Sequence, residues 1–215
     1  MDEQLTLPVT LIDATYIAAV ESLRRCCSKT GLKASGRLVG HHQIWARDSM
    51  IALLGARFVQ DGQIQEALRA SLSLLKDHRG ARGAIPNNVD SETLHPNFRA
   101  YADGGLWWIV GSALMAPDLA PDLEVVREVL SWYECQDVDQ SGLLSMQEGS
   151  DWQDLFCTRG KGLYLNCLYV LALRAAGEHI AADAVSARIN RYFWYEGDGN
   201  MLRHISRCSC AAHKS

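Results

Sequence analysis

The chain has 215 residues, 48% hydrophobic and 21% charged, with a formal net charge of −4. That composition belongs to a folded globular protein of one or two domains, and its weak acidity, with no basic run beyond pairs such as Arg24-Arg25, gives nucleic acid no handle. No apolar run reaches the roughly 18 residues of a membrane helix, and residues 1–7 lack the basic-then-apolar order of a secretory leader, so no membrane partner and a cytoplasmic protein are expected.

In chain order, seven helices are predicted. The first covers 14–27, with Asp13 as N-cap. The second runs over 46–60 and stops at Asp61-Gly62. The third, over 63–78, places Ile64, Leu68, Leu72 and Leu75 on one stripe at helical spacing. The fourth opens at Asp103 and ends before Pro117. In the fifth, Pro121 occupies a first-turn position, and Leu123, Val126, Leu130 and Tyr133 form the buried face. The sixth covers 162–176 and closes on Gly177; the seventh covers 179–195. No run alternates convincingly enough to be a strand. Residues 203–215 have no helical period and read as an irregular tail behind a 1–202 domain.

The connections alternate in length. Asp61-Gly62, 117–121 and Gly177-Glu178 are brief, whereas 28–45, 79–102 and 137–161 are long, and long structureless loops in a compact domain are usually functional. If successive helices run antiparallel, the long loops share one end. They carry His41, His42, Trp45, Arg47 and Asp48, then Pro86, Asn87, Asn88 and Asp103, then Glu148, Asp151, Trp152 and Asp154.

Asp103-Gly104-Gly105-Leu106-Trp107-Trp108 is the most pointed of these segments. A carboxylic acid can protonate a glycosidic oxygen, and aromatic faces stack on the apolar side of a sugar. The plain alternative is that Asp103 only caps its helix. Arg47 and Asp48 suit sugar hydroxyls as a donor fork and an acceptor, or else form an ion pair. Trp45 and Trp152 are stacking platforms or core; Asn87 and Asn88 contact ligand or complete a turn after Pro86. Asp154 binds hydroxyls or caps locally. The seven cysteines, with Cys26-Cys27 and Cys208-Ser209-Cys210, have no matched metal-ligand spacing and read as reduced thiols. A competing pattern is Asp137-Val138-Asp139-Gln140-Ser141-Gly142 with Glu148, which satisfies a calcium-loop spacing but lacks an exiting helix, since Gly149-Ser150 follows.

At these residues the chain resembles the six-hairpin, (α/α)6-toroid glycoside hydrolases, above all the amylo-α-1,6-glucosidase part of glycogen-debranching enzymes and the neutral/alkaline invertases. Trp45-Ala46-Arg47-Asp48-Ser49 is similar to their Trp-x-Arg-Asp segment, and Gly83-Ala84-Ile85-Pro86-Asn87 to their Gly-x-Ile-Pro-Asn loop. The Asp103 segment resembles the helix start whose aspartate is the family's general acid, and Asp151-Trp152-Gln153-Asp154 resembles Thr-Trp-Met-Asp. The likeness spans about residues 40–175 in the family's order. It implies an all-α fold, a partial (α/α)6 toroid of about seven helices where a full ring has twelve. It also implies inverting hydrolysis of an α-glucosidic bond with Asp103 as acid, and Trp45, Arg47, Asp48, Asn87, Trp107, Trp152 and Asp154 as substrate contacts. No metal or other cofactor is implied. The expected partner is an oligosaccharide, polysaccharide or disaccharide.

Two departures accompany the resemblance. Leu163-Tyr164-Leu165-Asn166-Cys167 stands where Val-Glu-Ile-Asn-Ala is usual, so Tyr164 replaces a carboxylate expected to touch substrate. The family's general base, a glutamate in the second half of the toroid, has no counterpart, and is expected beyond residue 215. A partial toroid that binds sugar without hydrolysing it, or a calcium-binding helical protein, are the alternatives. Half a ring also leaves apolar flanks that favour self-association.

Overall fold

The computed structural model describes residues 9–37, 40–115, 122–152 and 159–194. Seven helices dominate it: α1 (Val9–Cys26), α2 (Ala46–Ala56), α3 (Gly62–Asp77), α4 (Gly104–Leu114), α5 (Leu123–Glu134), α6 (Leu163–Ala175) and α7 (His179–Phe193). The fold is all-α, as expected, and its packing is consistent with a partial toroid. Helix α4 lies between α2 and α6, while α3 packs on α2 and α4, α5 on α4, and α7 on α6. The even-numbered helices thus form an inner row and α3, α5 and α7 an outer one.

Why α4 is the middle of that row is visible in its residues. Leu106, Trp108, Ile109 and Val110 are all buried, so the helix is apolar nearly all round and must be covered on several sides. Gly111 lets it approach α2, because a Cβ there would overlap Met50 Sδ. Helix α3 is amphipathic instead: Ile64, Leu68, Leu72 and Leu75 are buried on its inner stripe, and Asp61 caps it by accepting from Ile64 N at 3.0 Å. Arg24 on α1 reaches the same Asp61 at 2.7 Å and ties the first helix to the third.

Several boundaries differ from the sequence expectation. Helix α1 starts at Val9, so Asp13 lies inside it and does not cap it. Helix α2 ends at Ala56, where Gln65 Nε2 takes up the last carbonyls by donating to Ala56, Arg57 and Val59 O at 3.0–3.2 Å. Leu123, expected on the buried face of α5, is 57% exposed. It is the first helical residue after the cap Asp122, whose side chain accepts from Val125 N; the face that meets the core is Val125, Val126, Val129, Leu130 and Tyr133. The 117–121 turn, Pro121, Asp154 and the 203–215 tail lie outside the described residues.

Among the described residues, the long connections hold five two-residue strands, too short to show any alternation in sequence. β1 (Cys27–Ser28) pairs with β2 (Gly31–Leu32), and β3 (Ile44–Trp45), β4 (Asn88–Val89) and β5 (Pro96–Asn97) form an antiparallel sheet in that order. Its register sets Ile44 opposite Val89 and Trp45 opposite Asn88. Gly83, at φ +86°, turns the start of the second long connection tightly against α5, where a Cβ would run into the Glu128 backbone. Among the described residues, no helix is long and apolar enough to cross a membrane.

Candidate active site

The three long connections meet at one end of the inner row. Ala46 N donates to Asn87 O at 2.9 Å, joining the first connection to the second, and Ala102 N donates to Ser150 O at 2.7 Å, joining the second to the third. The N-termini of α2, α4 and α6 are therefore side by side, and each brings a polar side chain: Arg47, Asp103 and Tyr164.

Asp103 is the N-cap residue of α4 by position, but its side chain makes no capping hydrogen bond. The capping acceptor is the Tyr133 hydroxyl of α5, which accepts from Gly105 N at 3.1 Å and Leu106 N at 3.3 Å. Gly105 makes that possible, since a Cβ there would sit 2.9 Å from the Tyr133 ring. Asp103 is thereby free to point elsewhere. It has no exposure to solvent, and Arg47 Nη1 donates to both of its oxygens at 2.9 Å, while the Tyr164 hydroxyl donates to Oδ2 at 2.9 Å.

Burial pushes the Asp103 pKa above the usual carboxylate range, because it penalises the charged form; Arg47 and Tyr164 pull it down, and nearby Asp151 pushes it up. For Arg47, burial works against the cation, but Asp103, Asp48 and Tyr164 outweigh it and hold the guanidinium protonated. Burial and the Asp103 charge likewise raise the Tyr164 and Tyr133 phenols, so both remain protonated.

The other expected site residues divide. Trp107 is half-buried and donates from Nε1 to the Tyr164 oxygen at 2.8 Å; Trp108 is core, donating to Leu72 O. Asn87 is buried beside Gly104, where a Cβ would lie 4.0 Å from Asn87 Cα. Its Oδ1, and Nε1 of the half-buried Trp45, are buried polar atoms without a hydrogen-bond partner among the described residues. His41 packs edge-on against Trp45 at 6.0 Å between ring centroids. Asp48 is exposed and lines a cleft of about 400 Å3 between α1, β2 and α2, with Lys33 and Ile51. Trp152 is 52% exposed, while its neighbour Asp151 is buried.

Sequence reasoning assigns neither Tyr133 nor Asn166 to the site, and places Tyr164 there only as the loss of a carboxylate. Asn166 is buried and grips the third connection like a strand partner, accepting from Leu144 N at 2.8 Å and donating to Leu144 O and Gly162 O. The calcium-like spacing is used differently. Asp137 accepts from Ser141 and Gly142 N, the Lys161 ammonium sits 2.7 Å from Asp139 Oδ1, and Glu148 faces Arg159. Among the described residues, no group of three or more His, Cys, Asp or Glu is placed to hold a metal ion.

No curated protein matches the chain. A family model described as amylo-alpha-1,6-glucosidase matches residues 18–181, which include all three inner helices and both residues that hydrogen-bond Asp103, Arg47 and Tyr164. With that match spanning most of its length, the chain belongs to the amylo-alpha-1,6-glucosidase family, a group of glycoside-hydrolase-like proteins.

Proposed function

We propose that the site around Asp103 hydrolyses an α-glucosidic bond of an oligo- or polysaccharide with inversion, Asp103 protonating the departing oxygen. The observation that supports this best is the state of Asp103: fully buried, not spent on capping, and shifted toward the protonated form by burial. A general acid must carry its proton at working pH, and burial is the ordinary physical means of keeping it there. Inversion needs a second, ionised carboxylate roughly 6.5–9.5 Å away to activate water. This reading takes that base from the second half of the toroid, as the family resemblance implies. Two carboxyl groups and water suffice, so the reaction needs no cofactor.

Arg47 would hold a sugar hydroxyl alongside Asp103. The orphan donor on Trp45 and orphan acceptor on Asn87 suit hydroxyls, which donate and accept at once. Trp107 and Trp152 would face the apolar side of neighbouring glucose units, with Asp48 and Asp154 as further hydroxyl contacts. The family's description favours an α-1,6 linkage over that of a disaccharide such as sucrose. The enzyme is proposed to work in the cytoplasm, where such glucans are stored.

A second reading is favoured by one observation: Arg47 spans both Asp103 oxygens and no part of the carboxyl meets solvent. In that reading the domain binds glucan without turnover. One experiment separates the two. A protein carrying the complete toroid and its Asp103→Asn variant are incubated with a branched α-1,6/α-1,4 glucan, with the anomer of released glucose followed by proton NMR and binding followed by tryptophan fluorescence. Release of β-glucose by the wild type alone supports the acid role. Unchanged release by Asp103→Asn removes it, and saturable binding without release by either protein supports the binding module.

A further inference from the structure

The two donors on Asp103 treat its oxygens unequally. Arg47 Nη1 is 2.9 Å from both, whereas the Tyr164 hydroxyl reaches only Oδ2. The other side of the phenol fixes the sense of that bond. Trp107 Nε1 lies 2.8 Å from the Tyr164 oxygen, and an indole N–H can only donate. It takes the acceptor side of the phenol and turns the O–H toward Oδ2. Trp107 is one turn after Asp103 on α4, and Tyr164 is in the first turn of α6, whose N-terminal end Asn166 secures to Leu144 of the preceding loop. The relay therefore stands on two packed helices.

We propose that Tyr164 is a positioning residue for the general acid: oriented by the Trp107 indole, its hydroxyl occupies Oδ2 of Asp103 and leaves Oδ1 as the oxygen that bears and delivers the proton. The proposal rests on Asp103 being the acid. In the transfer, the Oδ1–H bond breaks with its electron pair kept by Asp103, an O–H bond forms on the glycosidic oxygen, and that oxygen leaves with the C–O pair while water, losing a proton to the base, bonds to the anomeric carbon. Before transfer Oδ1 is a donor and Arg47 is confined to Oδ2. After transfer both oxygens accept, and Arg47 can bridge them. The sequence at this point departs from the carboxylate that the family resemblance implies. A carboxylate there would add a like charge beside Asp103 and could not donate, whereas a phenol donates at every working pH.

The groups facing Asp103 are Arg47 from α2, Tyr164 from α6, Tyr133 from α5 and Asp151 from the third connection. The full chain, labelled with 13C at aspartate carboxyls, is titrated by NMR, with Asp103→Asn giving the assignment. Tyr164→Phe removes one direct donor to the charged form and should raise the Asp103 midpoint by about one pH unit. Trp107→Phe should raise it by less, in the same direction. An Asp103 midpoint unchanged in Tyr164→Phe overturns the proposal, even if the melting temperature falls, because a merely structural tyrosine would lower stability without moving the titration. If Tyr164→Phe does not fold, the wild type decides: the Trp107 Nε1–H resonance should shift with the Asp103 midpoint, and a pH-independent resonance overturns the relay. These readouts use no substrate, so they fail or hold separately from the Asp103→Asn hydrolysis assay, in which continued turnover would remove the acid itself.

Discussion

Replacing Arg47 by methionine keeps most of the apolar stem and deletes the charge. Asp103 would keep the Tyr164 hydroxyl but lose the guanidinium that spans it, at zero exposure. Removing one partner of a buried pair costs about 3–5 kcal/mol when the other stays charged. Asp103 has an alternative, which is to take up a proton. Its folded pKa is already raised by burial against the pull of Arg47, and without Arg47 it rises further. A carboxyl with a higher pKa folded than unfolded binds more protons in the folded state between the two values. Stability therefore falls as pH rises through that window and levels off above it.

The loss for Arg47→Met at pH 7 is then bounded by about 3–5 kcal/mol, the figure for a carboxylate that keeps its charge, and shrinks to about 1 kcal/mol near pH 4, where only hydrogen bonding and packing are missing. Against a typical total of about 5–15 kcal/mol the variant still folds. At about 2–4 °C per kcal/mol for a domain of this size, melting at pH 7 drops by no more than about 20 °C. Urea denaturation of wild type, Arg47→Met, Asp103→Asn and the double variant at both pH values is the assay. The double variant should recover most of the loss at pH 7, because a neutral amide needs no cation. An equal loss at both pH values, or a double variant no more stable than Arg47→Met, refutes the coupling.

Tyr133→Phe leaves the Gly105 and Leu106 amides buried without their acceptor and should cost about 1–3 kcal/mol in denaturant melts. A neutral result would mean another group caps α4. Lys161 holds the Asp139 carboxyl down to about 2, so the pair's contribution is complete above the usual carboxylate pKa and is lost as pH falls toward about 2. Lys161→Met should flatten that acid limb, by no more than about 1 kcal/mol for a partly exposed pair, and melting of the wild type should ignore chelator. Ile51, Leu54 and Phe58 form an exposed apolar stripe on and just beyond α2, near-continuous at helical spacing. Sedimentation should show association that rises with concentration and falls in Leu54→Glu; a monomer at all concentrations would show that the stripe drives none.

What could be read in the sequence follows from which interactions are local. The α3 stripe of Ile64, Leu68, Leu72 and Leu75 is a property of one helix, and it is buried as expected. The convergence of the long connections was legible because alternating loop lengths constrain chain direction. The use of Asp103 was not, because the group that relieves it of capping, Tyr133, comes from another helix, 28 residues beyond Gly105. Arg47 and Asp48 show the same limit on a smaller scale. Adjacent helical positions point about 100° apart, so an Arg-Asp pair in sequence diverges even where both residues line one cleft, as here. Arg47 faces Asp103, and Asp48 is exposed toward the α1 cleft. Leu123 departs from expectation because a first-turn residue follows the helical period before its helix has met the core.

Three inner-helix N-termini around one carboxyl pose an electrostatic conflict. Each helix start carries about half a positive charge, which favours the carboxylate, as do Arg47 and Tyr164. Burial and Asp151 favour the acid. Tyr133 weakens one side of this contest: by taking the Gly105 and Leu106 amides it directs those donors to a neutral phenol instead of Asp103. Two tyrosines thus act on one aspartate in opposite senses, Tyr133 by withholding backbone donors and Tyr164 by supplying a side-chain donor to one oxygen. A carboxyl set between such opposed influences changes protonation state for a small change in its surroundings. That is the physical property a general acid requires, and it depends on residues from four helices that no single segment of the chain contains.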